Sequence, residues 1–75
     1  MDMRIIKYMT LMSKLSTIEG RKESFTGQYN LAAKLYRRGE LNEDEFMQRS
    51  NIYKQEIKSL DQMRRSALKA YAMAA

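Results

Sequence analysis

Three adjacent carboxylates, Glu43-Asp44-Glu45, and three adjacent cation pairs, Arg21-Lys22, Arg37-Arg38 and Arg64-Arg65, are the groups whose types and spacing admit chemistry. Clustered carboxylates can hold a hard cation or divide acid and base work between them. Paired cations can follow a phosphate backbone. The rest of the catalytic repertoire is missing. The chain has no His and no Cys, which removes thiolate nucleophiles, His-based triads and the usual zinc ligand sets. Ser and Thr occur with no base beside them, and Gly20, Gly27 and Gly39 lack the spacing of a phosphate-binding loop. The expectation is a non-enzymatic protein with no cofactor, no metal site and no small-molecule substrate.

The acidic triplet has a local explanation in the elements around it. Tyr36 to Phe46 reads as one helix stopping, the chain reversing and a second helix starting. Gly39 suits the left-handed residue just past a helix end, and Arg37 and Arg38 put positive charge beside the last carbonyls. Asn42 has the chemistry of an N-cap, with Glu45 three residues on to complete a capping box. Leu41 and Phe46 are spaced for a hydrophobic staple. Glu43, Asp44 and Glu45 then occupy the first turn, where the helix dipole favours carboxylates.

On either side of that turn the apolar residues recur every three or four positions. Before it the stripe is Tyr8, Leu11, Leu15, Ile18, Lys22, Phe25, Tyr29, Ala32 and Tyr36; after it, Phe46, Ser50, Tyr53, Ile57, Leu60, Arg64, Ala67 and Tyr71. A 3.5-residue repeat of this kind is the seam of a coiled-coil-like helix pair. Folded back at the turn, the two seams pair in phase: Tyr36 with Phe46, Ala32 with Ser50, Tyr29 with Tyr53, Phe25 with Ile57, Lys22 with Leu60, Ile18 with Arg64, Leu15 with Ala67 and Leu11 with Tyr71. Lys22 and Arg64 can pack their stems there and carry their charges outwards. The expected fold is therefore all-α: a single helical domain over 1–75, built as a long antiparallel hairpin. It has a helix over about 3–38 capped by Asp2, a turn at 39–42 and a helix over about 43–73, with the last six residues fraying. Absence of Pro supports long helices. The alternative is a three-helix version in which Gly20 stops a first helix and another begins near Ser24; the seam staying in phase across Gly20 and Gly27 favours the hairpin.

A two-helix hairpin leaves apolar surface uncovered. Ile5, Met9, Met12, Leu31 and Leu35 of the first helix, with Ile52, Met63 and Leu68 of the second, fall beside the seam and form the candidate partner-binding residues. Ile6 and Met47 lie off the seam as well. Exposed apolar patches mark partner surfaces, and unbranched Met suits an adaptable one. The partner is another protein or a second copy, a homodimer in particular. The alternative class is a basic nucleic-acid-binding helical protein using Arg21, Lys22, Arg37, Arg38, Arg64 and Arg65. The net charge of +5 supports it, concentrated as eight Lys/Arg against three Asp/Glu in residues 1–39. No apolar run of about 20 residues is present, so no membrane span is expected. A cytoplasmic location is the expectation that goes with that and with the lack of Cys.

The segment Leu35-Tyr36-Arg37-Arg38-Gly39-Glu40-Leu41-Asn42-Glu43-Asp44-Glu45-Phe46, continuing to Ile57, resembles the short SHOCT-type helical hairpin of many bacterial and phage proteins. There too a helix ends in Gly and is followed by an apolar residue, a cap, acidic residues and a Phe. The resemblance implies oligomerisation or docking without catalysis. In size and architecture the whole chain is also similar to the small helical-hairpin co-chaperones of type III secretion needle subunits and to short phage proteins that bind host factors.

Overall fold

A computed structural model describes residues 3–74. Asp2, the expected cap of the first helix, and Ala75 lie outside the described residues. Two helices make up the fold, α1 (Met3–Arg37) and α2 (Glu43–Ala74). They run antiparallel as a hairpin 57 Å long and 17 Å by 10 Å across. The helix bounds lie within a residue of the sequence expectation, with α2 running as far as Ala74.

α1 is continuous through Gly20 and Gly27, which decides for the hairpin over the three-helix version. Three Thr hydroxyls on this helix donate back to carbonyls one turn earlier: Thr10 to Ile6 at 2.9 Å, Thr17 to Ser13 at 3.1 Å and Thr26 to Lys22 at 2.8 Å. Back-bonding of this kind lets exposed Thr residues sit inside a helix without competing for its amides.

The turn follows its local chemistry. Gly39 has φ +79°, a conformation in which a Cβ would be strained. Its N–H donates to the Tyr36 carbonyl at 3.0 Å, and the Glu40 N–H donates to the Leu35 carbonyl at 2.9 Å. These two bonds make up a Schellman motif and satisfy carbonyls that the helix end would otherwise leave open. Asn42 then caps α2, its Oδ1 accepting the Glu45 N–H at 2.8 Å. Glu45 takes part only through its backbone, so half of the expected capping box forms. Leu41 is buried at 7% exposure, as a staple residue should be.

The core is a single line of side chains between the helices. Leu11, Ile18, Ala32 and Leu60 are buried, and Ser50 is buried opposite Ala32, where small residues let the helices approach. Around the turn the aromatic side chains extend this line. Tyr36 stacks on Phe46 at 4.7 Å between ring centroids, and Phe46 also meets Tyr29 at 6.3 Å. Phe25 meets Tyr53 at 6.3 Å, a diagonal neighbour in the expected register. All these distances lie in the range favoured by aromatic pairs. The seam is thinner than the spacing implies. Tyr8 stays 52% exposed and the Arg64 side chain 47%, because two helices in contact enclose only a narrow strip between them.

Candidate partner-binding surface

Helical phase and register sort the residues beside the seam into two flanks. On α1, positions 5, 12, 19, 26 and 33 lie on one side of the seam, and 7, 14, 21, 28 and 35 on the other. On α2 the matching sets are 47, 54, 61 and 68, and 49, 56, 63 and 70. Antiparallel packing brings like set to like set.

The first flank carries two carboxylates, each paired across the hairpin. Lys22 Nζ lies 2.8 Å from Asp61 Oδ1, and Arg64 Nε lies 3.7 Å from Glu19 Oε1. The Lys22 bond holds the Asp61 carboxyl below its ordinary range, and the same bond raises the Lys22 ammonium. Both partners are about a third exposed, so the pair is shielded only in part from solvent. Apolar groups flank these ion pairs. By phase and register Met12 and Leu68 fall opposite one another near the open end, on the same side as Ile5 and, further round, Met9; Met47 lies towards the turn.

The second flank divides differently. In its turn-proximal half Leu31 and Ile52 face outwards beside Leu35. In its other half a groove about 640 Å³ in volume runs between the helices, lined by Ile18, Leu60, Met63 and Ala67 among others. A second groove of about 310 Å³, over Leu11 and Tyr71, shares Lys14, Ala67 and Ala70 with the first. The two therefore adjoin at these three residues, the second lying nearer the open end. Lys7, Lys14 and Arg21 stand along their α1 wall.

The eight expected contact residues thus do not form one patch. Ile5, Met9, Met12 and Leu68 gather on one side at the open end; Leu31, Leu35 and Ile52 gather on the other side near the turn; Met63 belongs to the groove. Six of the eight are open, from 46% exposed at Met12 to 61% at Met9. Leu35 and Leu68 are half-buried, already partly covered by the facing helix.

Of the six cations considered for nucleic acid, Lys22 and Arg64 are tied into the ion pairs with Asp61 and Glu19. Arg21 stands on the groove wall, and Arg37, Arg38 and Arg65 are exposed. The sequence reading passed over Glu19 and Asp61, although a signal for them was present: each lies one position beyond the seam residue that faces its partner. It also passed over the groove, since no periodicity marks where two helices leave a gap. The acidic triplet Glu43-Asp44-Glu45 is exposed in the first turn of α2. Among the described residues no group of three Asp or Glu is arranged to hold a metal, and no helix is long and apolar enough to cross a membrane.

Comparison with protein-family models, with curated proteins and with solved structures finds no match to this chain.

Proposed function

We propose that this chain is a non-enzymatic protein-interaction module of the adaptor, inhibitor or co-chaperone kind, that it works in the cytoplasm, and that it pairs with a second copy of itself. The supporting observation is the exposure of large apolar side chains. Twelve of them, among the described residues, are between 39% and 78% exposed, against five buried apolar residues. The accessible surface is 6109 Å², whereas a compact monomer of this mass would expose roughly 4,800 Å². The excess of roughly 1,300 Å² is of the order that a stable protein interface removes from one partner. The flank of Ile5, Met9, Met12 and Leu68 suits a second copy best. Its carboxylates Glu19 and Asp61 are already paired, so covering them leaves neither without a partner.

Light scattering after size exclusion, over a range of concentration and salt, tests this. The expected result is a dimer or larger assembly that persists at high salt, because apolar burial drives it. Met12→Asp should shift the chain towards monomer with unchanged far-ultraviolet circular dichroism. A wild-type monomer at every concentration, or a Met12→Asp assembly of undiminished mass, refutes self-association through this flank. The nucleic-acid reading has less support, since two of its six cations are engaged within the hairpin. It requires binding that weakens steeply with salt.

A further inference from the structure

We infer that the groove on the second flank is the docking site for an amphipathic helix of a different protein, one that carries a row of carboxylates beside its apolar stripe. The inference rests on the reading of the chain as an interaction module and names the partner's chemistry. The floor of the groove is apolar, formed by Leu11, Ile18 and Leu60 of the seam. On its α2 wall Ser66, Ala67 and Ala70 are small, which allows a third helix to approach closely, as ridges settle into grooves. Its α1 wall carries Lys7, Lys14 and Arg21, spaced seven residues apart over about 21 Å of helix. None of these three makes an ion pair among the described residues, and no carboxylate lines either part of the groove.

Charge complementarity selects the occupant. A helix packed along this groove presents one position per heptad to each of the three cations, and carboxylates there pair with all three. A second copy of this chain is disfavoured over the groove itself, because an isologous contact there would set Lys7, Lys14 and Arg21 of each copy against those of the other with no lining carboxylate to offset them. The hairpin would then form a three-helix bundle with its partner on one side while keeping the Met12 flank for self-association.

The probe is a fluorescently labelled peptide of about 21 residues, with Leu on a heptad seam and Glu at the flanking heptad position. Its control carries Lys in place of each Glu. Anisotropy titration of the intact chain should show saturable binding of the Glu peptide, and binding of the Lys peptide weaker by about tenfold or more, as three exposed ion pairs together supply. The Lys7→Glu/Lys14→Glu/Arg21→Glu variant should reverse that preference, and Ala70→Trp, at an exposed position, should abolish binding of the Glu peptide by filling the groove. Equal binding of both peptides, no binding of either, or full binding to Ala70→Trp overturns the inference. So does capture of anionic phospholipid vesicles in place of the Glu peptide. Met12→Asp lies on the opposite flank and should leave peptide binding unchanged, so loss of self-association and loss of groove binding are separate results.

Discussion

The same substitution, Gly to Ala, should have opposite signs at different glycines of this chain. Gly20 and Gly27 lie inside α1, and a Cβ built at either meets nothing within 4 Å. Ala there keeps the helical backbone and removes the entropic penalty of Gly, worth about 1 kcal/mol per site. The two sites are about 10.5 Å apart along the helix, far enough for their effects to add to about 2 kcal/mol. In a chain of this size each kcal/mol raises Tm by about 4–8 °C. Gly39 has the same open space around it but φ +79°, so Ala is strained in its backbone alone and should cost about 1–2 kcal/mol. Urea unfolding followed by circular dichroism, at two protein concentrations to separate folding from association, measures all three. Gly20→Ala and Gly27→Ala should raise the midpoint with little change in slope, and Gly39→Ala should lower it. Destabilisation by Gly20→Ala would refute the continuous helix, because that is the outcome if Gly20 is a left-handed stop between two shorter helices. Stabilisation by Gly39→Ala would refute the Schellman turn.

Three further outcomes follow from particular contacts. Ser50 is buried at 5% exposure and its hydroxyl has no hydrogen-bond partner, so Ser50→Ala should stabilise by about 1–3 kcal/mol. Ser50→Leu, forced against Ala32, should destabilise by about 1–3 kcal/mol; a Ser50→Ala variant that unfolds more easily than wild type would show the hydroxyl to be bonded. Asn42→Ala removes the acceptor of the Glu45 N–H and should cost about 1 kcal/mol in thermal or urea unfolding, whereas Asn42→Ser should recover most of it. The Lys22–Asp61 pair should stabilise the hairpin fully between about pH 4 and pH 10. Asp61, lowered by the Lys22 bond, loses this contribution as pH falls through its folded-state value, and Lys22, raised by the same bond, loses it as pH rises through its own. The Tm difference between wild type and Asp61→Asn should therefore be widest at neutral pH and shrink towards both extremes. A difference constant with pH would mean that the ion pair contributes nothing.

The hairpin was legible because its signals are local. Gly39, Asn42 and the carboxylates after them each act on the backbone within one turn of the chain, so their effect does not depend on what packs elsewhere. The 3.5-residue repeat likewise survives in the fold as the buried line of Leu11, Ile18, Ala32 and Leu60, and folding back at the turn sets the register once its length is known. The surface beside the seam was legible as a set of residues. Their grouping depends on which side of the seam each helix turns them to, and on which residue of the facing helix stands opposite. Phase and register, carried one step further, also set Met12 and Leu68 apart from Leu31 and Ile52; tertiary structure was needed to close the Lys22–Asp61 and Arg64–Glu19 pairs and to open a groove beside Lys7, Lys14 and Arg21. Periodicity within one helix records the face that is buried; the gaps and pairings between two helices arise only when both are in place.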